Sequence, residues 1–116
     1  HDLFRVAGQL ATRTGTYIEP LGPEDEERLS AYVSRLEEEV PLNGFVIPGA
    51  TLQSAKLDVA RTVCRRAERR IVALAWDADV ATDVRLYMNR LSDLLFMMAR
   101  AEESSDGGVR YVKGQR

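Results

Sequence analysis

The sequence predicts an all-α chain, an up-and-down helical bundle of four helices. Three observations carry this. Apolar residues recur at helical spacing in four separate segments. Short stretches rich in glycine and proline divide those segments. The chain has 116 residues, of which 45% are apolar and 29% charged, enough for one core and too apolar for a disordered chain. A single helical-bundle domain is expected over 1–102, followed by a loose polar tail over 103–116 from which Val109, Tyr111 and Val112 are free to dock.

The first helix is expected over 2–12, where Leu3, Phe4, Ala7, Leu10 and Ala11 share one side. Gly15, Pro20, Gly22 and Pro23 mark a linker, in which TYIEP can form a short extended piece. Pro23 followed by Glu24, Asp25, Glu26 and Glu27 reads as a helix start, because proline tolerates the first helical position and acids favour the positive end of the helix dipole. Leu29, Tyr32, Val33 and Leu36 continue that helix, and the acids Glu37–Glu39 predict a frayed end. Pro41–Gly49 breaks the pattern. Within it Phe45-Val46-Ile47 reads either as a tripeptide tucked into the core or as the lining of a pocket.

A long helix is expected over about 51–76, with Leu52, Ala55, Val59, Val63, Ala67, Ile71 and Leu74 as its apolar stripe. After a connection over 77–83, the last helix is expected over about 84–101. Val84, Tyr87, Met88, Leu91, Leu94, Leu95 and Met98 form its buried side, while Phe96 and Met97 widen the apolar surface beyond one face. That width implies burial on two sides, against the bundle and against a partner subunit. The bundle is thin for a self-sufficient fold, which implies oligomerisation or an absent N-terminal helix.

The net charge of −2 gives no global field for nucleic acid. The basic groups are local, as a small anionic ligand requires. Cys64 is the lone cysteine, so no internal disulfide is expected and a reducing, cytoplasmic setting fits. No apolar run is long enough to span a membrane. No signal peptide is recognisable, but the chain opens at His1-Asp2-Leu3-Phe4 without an initiator methionine, so part of the natural N-terminus is expected to be missing.

Two polar stripes lie beside these apolar faces. Arg61, Arg65, Glu68 and Arg69 fall at offsets of 0, 4, 7 and 8, roughly on one side of the long helix. Guanidinium groups suit phosphate oxygens, but on spacing alone a solvated Arg/Glu face is the favoured reading. Asn89 and Asp93 lie one turn apart in the apolar last helix. Asn89 reads as a ligand amide or as a partner for a buried polar gap; Arg90 either pairs with Asp93 or faces solvent. Asp58 reads as a surface residue, and Cys64 as a small buried filler rather than a nucleophile. The sole histidine is terminal, so no catalytic triad is visible; there is no metal-ligand cluster and no Walker-type phosphate loop.

Four stretches in order, HDLFRVAGQLAT at 1–12, FVIPG at 45–49, LDVARTVCRRAER at 57–69 and YMNRLSDLLFMMAR at 87–100, resemble the PduO-type cob(I)alamin (corrinoid) adenosyltransferases, a family that includes the human mitochondrial enzyme of methylmalonyl-CoA metabolism. The resemblance covers nearly the whole chain, and its last two motifs are long and specific. It implies a homotrimer of helical bundles with sites at subunit interfaces. Each site takes ATP, with Mg2+, and a reduced corrinoid such as cob(I)alamin. The 5′-deoxyadenosyl group passes to cobalt and triphosphate leaves. Cobalt(I) is the nucleophile, so the protein need supply none. The resemblance assigns the polyphosphate to Arg65 and Arg69, with Glu68 holding their geometry. It gives Asn89 a hydrogen bond to ATP and Arg61 an ionic contact that maintains the site. Phe45 is placed beneath the corrin, where it excludes a lower axial ligand and eases reduction of cobalt(II).

Some features depart from the pattern. Family members usually begin with a segment resembling TRTGDxGxT and a first helix. That segment wraps the triphosphate and supplies the acidic partner of Arg61; both features are missing before His1. Arg13-Thr14-Gly15-Thr16 echoes the segment but follows the HDLF helix. The stretch from Thr12 to Leu42 is shorter than usual. Ala50 replaces the second glycine of the FVLPGG-like turn, and Asp58 stands where the family has histidine. Two other readings remain: a non-catalytic corrinoid carrier or chaperone, and a structural helical oligomer derived from the fold. A reductase or an adenosylcobalamin-dependent enzyme is a further expected partner.

Overall fold

The computed structural model describes residues 1–113. Four helices form in chain order: α1 Asp2–Ala11, α2 Pro23–Glu39, α3 Leu52–Leu74 and α4 Thr82–Ser104. Local chemistry explains their limits. Proline occupies the first position of α2, and the Gly22 amide donates to the Asp25 carboxylate at 3.0 Å. Thr51 caps α3 through its hydroxyl, which accepts from the Ser54 amide at 3.0 Å, while Ser54 Oγ accepts from the Thr51 amide. α2 ends at Glu39 with the Val40 amide donating to the Leu36 carbonyl at 2.8 Å, so the acidic run stays helical to its end.

Contacts between helices set their directions. Glu26 pairs with Arg90, and Val33 packs with Met97, so α2 and α4 run parallel. Glu68 meets Asn89 while Asp58 meets Arg100, so α3 runs antiparallel to α4. Arg5 meets Asp25 and Asp2 meets Arg28, which sets α1 antiparallel to α2. The result is the expected all-α, up-and-down bundle, with dimensions of 51 × 24 × 23 Å. α4 is its spine. One half of the core joins Val6, Leu21, Leu29, Cys64, Ile71, Val84, Tyr87 and Met88; the other gathers Val33, Val40 and Met97.

Three expected faces differ in part from those observed, although Leu10, Ala67, Ile71, Val84, Tyr87, Met88, Leu91, Leu94 and Leu95 do pack in or against the core. On α1, Val6 is buried while Leu3, Phe4, Ala7 and Ala11 are exposed. The inward side of α1 carries Asp2 and Arg5, which must meet their charged partners on α2, and this turns the apolar side outward. On α3, Cys64 and Ile71 are buried with Leu57 and Ala67 half-buried, whereas Leu52, Val59 and Val63 are exposed. On α4, Met97 is buried and Met98 exposed. α4 also buries Ser92, Ala99, Arg100 and Glu103. The chain thus holds more apolar helix surface than its own bundle covers.

α4 continues through Ser104, past the expected boundary, with Glu103 fully buried. Gly107 and Gly108 then take positive φ angles of 91° and 97°, which glycine adopts without a Cβ clash. They turn the chain back along the bundle. Residues 109–112 run beside the Phe45 loop, where Val46 and Tyr111 form an antiparallel bridge. Residues 114–116 of the expected tail lie outside the described residues.

Candidate active site

The antiparallel register of α3 and α4 brings Arg65, Glu68 and Asn89 together. Asn89 Nδ2 donates to Glu68 Oε2 at 2.8 Å. The other oxygen of the same carboxylate lies 3.8 Å from Arg65 Nε, one turn earlier on α3. Glu68 is well covered, whereas Arg65 and Asn89 are exposed. The long Arg65–Glu68 approach at the surface is a weak pair, so most of the guanidinium's donors remain available. Beyond Glu68 a cleft of about 300 Å³ opens between the helices, lined by Val72, Arg85, Leu86 and Asn89 among others.

Arg69 lies one turn beyond Arg65 and is exposed; among the described residues it forms no ion pair. Among the described residues Arg61 has no carboxylate partner, and its guanidinium sits over the Phe96 ring, 5.2 Å from the centroid. The stripe therefore has two ends: a cation held on an aromatic ring at Arg61, and exposed cations at Arg65 and Arg69.

Phe45 is 72% exposed, which removes the core reading of the apolar tripeptide for this side chain. Its backbone is fixed on both sides. The Val112 amide donates to the Phe45 carbonyl, and the Ile47 amide to the Arg110 carbonyl, each at 2.8 Å. Further along the loop, the Gly49 amide donates to Asp58 Oδ2 at 2.9 Å, and the Ala50 amide to Glu103 Oε2 at 3.1 Å. Asp58 is ten residues before Glu68, roughly 15 Å along an α-helix. The Phe45 loop and the Glu68–Asn89 pair thus mark two stations along the α3/α4 pair, and the sequence stripe joins them.

Cys64 is buried between these stations. Burial, followed by the charge of Glu68, pushes its thiol above the ordinary range, and Sγ lies 3.6 Å from the Met88 carbonyl, to which it donates. It packs as a core residue and stays protonated. On the far side of α4, Asp25 receives both terminal nitrogens of Arg5, at 2.9 and 3.2 Å. Those bonds hold its carboxyl below the usual aspartate range despite burial. Tyr87 donates to Asp2 at 3.0 Å; burial and that bond push its phenol up to about 12. This network fastens α1 to α2 and α4, and it is separate from the Arg65–Asn89 site.

Sequence reasoning missed Arg100, Glu103 and the inward role of Asp58. An arginine directly after Phe96-Met97-Met98-Ala99, with a glutamate three residues on, is the available signal. A charged pair closing an apolar helix face is expected to be satisfied internally.

The fold and the paired polar stations define a helical-bundle protein with a cationic stripe beside an aromatic loop. The chain belongs to the cobalamin adenosyltransferase family, whose sequence profile matches residues 1–102. It is 38% identical over 93% of its length to a cobalamin adenosyltransferase of Cupriavidus metallidurans, covering 58% of that protein. It is also 38% identical over 97% of its length to a corrinoid adenosyltransferase of Bacillus subtilis, covering 60% of it. A PduO-type ATP:corrinoid adenosyltransferase variant from Lactobacillus reuteri, solved with cobalamin and ATP, superposes with a TM-score of 0.86 at 28% identity; the match covers 98% of this chain and 64% of the other. The chain thus spans about half to two-thirds of the length of these relatives.

Proposed function

We propose that the protein transfers the 5′-deoxyadenosyl group of ATP to the cobalt of a reduced corrinoid. The observation that carries this reading is the Arg65–Glu68–Asn89 constellation on a family member, with a pinned, exposed Phe45 at a second station along the same helix pair. Cobalt(I) attacks C5′ of ATP, the cobalt–carbon bond forms, and the C5′–oxygen bond breaks with its electron pair going to triphosphate. The substrate supplies the nucleophile, so the protein's contribution is alignment and charge stabilisation.

Arg65 and Arg69 take the polyphosphate, where exposed guanidinium donors match phosphate oxygens. Glu68 holds Asn89 and biases Arg65 toward the same place; the Asn89 amide retains a hydrogen and an oxygen for the nucleotide. Arg61, stacked on Phe96, adds positive charge behind the site, with no carboxylate drawing it away among the described residues. Phe45 presents an apolar face to the corrin and denies the lower axial position to a ligand. Among the described residues no cluster of three or more acidic, histidine or cysteine side chains is set to hold a metal. Mg2+ enters the reading as part of the MgATP substrate, coordinated by phosphates.

A homotrimer fits the uncovered apolar surface: Leu52, Val59, Val63 and Met98 on α3 and α4, and Leu3 and Phe4 on α1, are exposed in the single chain. A cytoplasmic, reducing setting with a reductase that delivers cobalt(I) completes the reading. No helix is long and apolar enough to cross a membrane among the described residues.

Product analysis tests the chemistry. The reading predicts release of intact triphosphate in step with corrinoid alkylation. Release of orthophosphate alone, or none, contradicts it. Corrinoid binding with no ATP-dependent alkylation would instead favour a carrier.

A further inference from the structure

A second charge cluster lies behind the Phe45 loop and makes no contact with the Arg65–Glu68–Asn89 group. Arg100 is 1% exposed and Glu103 0% exposed. Arg100 Nη2 donates to Asp58 Oδ2 at 2.7 Å and to Glu103 Oε2 at 3.2 Å. Arg100 Nε also stands 2.9 Å from Glu103 Oε1; the charges are in contact there, but the N–H is not aimed for a hydrogen bond. The face of the guanidinium covers the Phe96 ring at 4.8 Å. Burying Arg100 and Glu103 beside a half-buried Asp58 is costly, and apolar side chains of similar volume often stabilise a fold as well or better. Stability alone therefore does not account for the cluster.

Its outward bonds show what it holds. The same two carboxylate oxygens that take Arg100 also accept the consecutive amides of Gly49 and Ala50. One carboxylate comes from α3 and the other from α4, and Arg100 bridges them. Gly49 sits at a φ of +78°, a backbone state that glycine supplies without strain. On its far side the same loop is tied to residues 110–112. Loops with few buried contacts are normally mobile. Here both ends are fastened while the Phe45 ring is left open to solvent.

We propose that Asp58, Arg100 and Glu103 are positioning residues: a buried latch that fixes the Phe45 loop so that the ring meets the corrin in a preset place. This rests on the corrinoid reading of the site. The latch acts on corrinoid engagement and reduction, not on the nucleotide, which binds at the other station along α3.

The test is Asp58→Asn, which keeps the shape and removes the charge, beside Asp58→Glu, which keeps the carboxylate. In the native chain and both variants, KM is measured for corrinoid and for ATP, and amide hydrogen exchange is followed over residues 44–50. Asp58→Asn is expected to raise the corrinoid KM roughly 10- to 100-fold, the scale set by a misplacement of about 1 Å. It leaves the ATP KM unchanged and speeds exchange at Gly49 and Ala50; Asp58→Glu recovers part of each effect. Parallel rises in both KM values, or an unchanged corrinoid KM, would overturn the latch. The exchange arm needs no turnover. Unchanged protection at Gly49 and Ala50 overturns the latch even in an active enzyme. A native chain that forms no alkylated corrinoid overturns the functional reading, while the exchange result still decides whether the latch exists.

Discussion

The side-chain amide of Asn89 donates to Glu68 at 2.8 Å, linking α4 to α3 across 21 residues of sequence. The bond aligns a neutral hydrogen-bonding group with the Arg65 side of the stripe, so the two helices present one surface to a ligand. Removing the amide with Asn89→Ala is expected to lower kcat/KM for ATP roughly 10- to 100-fold through lost alignment. Steady-state kinetics at saturating corrinoid check this. Glu68→Gln keeps a partner for Asn89 but releases Arg65, and a smaller loss is expected.

Arg65 carries the polyphosphate charge in this account. Arg65→Ala is expected to reduce turnover about 100-fold, the scale of losing one aligned charge-stabilising donor. Arg65→Lys is expected to recover only part, because a point charge lacks the planar fork. The native KM for ATP is expected to rise with ionic strength as exposed charges are screened. A salt titration of the native protein and both variants checks all three statements.

Asp25 carries a pH-dependent share of stability. Its folded pKa lies below the unfolded value of about 3.9. The stabilisation is therefore complete above the unfolded value and is lost as pH falls through the depressed folded value. Asp25→Asn is expected to lower the Tm at pH 7 by roughly several degrees, because Arg5 loses its charged partner in a part-buried pair. Its Tm should approach that of the native chain in acid. Thermal melts from neutral pH downward give the comparison; a constant difference would contradict the assignment to Asp25 ionisation.

Thr51 anchors the start of α3 beside the Phe45 loop. Thr51→Ala removes the acceptor for the Ser54 amide and is expected to cost about 1 kcal/mol, a Tm drop of a few degrees. Denaturant melts with an unchanged slope would show that only the cap was lost.

Cys64 is expected to react slowly with thiol reagents in the folded chain at neutral pH. It is buried, and its thiol is held protonated. Labelling at the rate of a free thiol only after denaturation checks this.

Much of the fold is written in local signals. Pro23 and the acids after it announce α2, and the 3.6-residue rhythm marks α3 and α4 within a few residues. The buried face is less legible. α3 carries two apolar stripes, and Leu52, Val59 and Val63 look as core-like as Cys64 and Ile71; only the position of α4 selects between them. On α1, Asp2 and Arg5 outrank Leu3 and Phe4 for the inward side because their charged partners lie on α2, which a local pattern does not reveal. The Arg65, Glu68 and Asn89 grouping is visible through family resemblance, whereas spacing alone also allows a solvated face. The Asp58–Arg100 contact joins residues 42 apart and depends on helix register, so nothing local announces it.

The most direct test is anaerobic incubation of the folded chain with chemically reduced cob(I)alamin and MgATP, followed by visible spectroscopy. ATP-dependent formation of adenosylcobalamin over many turnovers is expected, and its loss in Arg65→Ala. A folded chain that leaves cob(I)alamin unalkylated, with or without ATP, would contradict the adenosyltransferase reading.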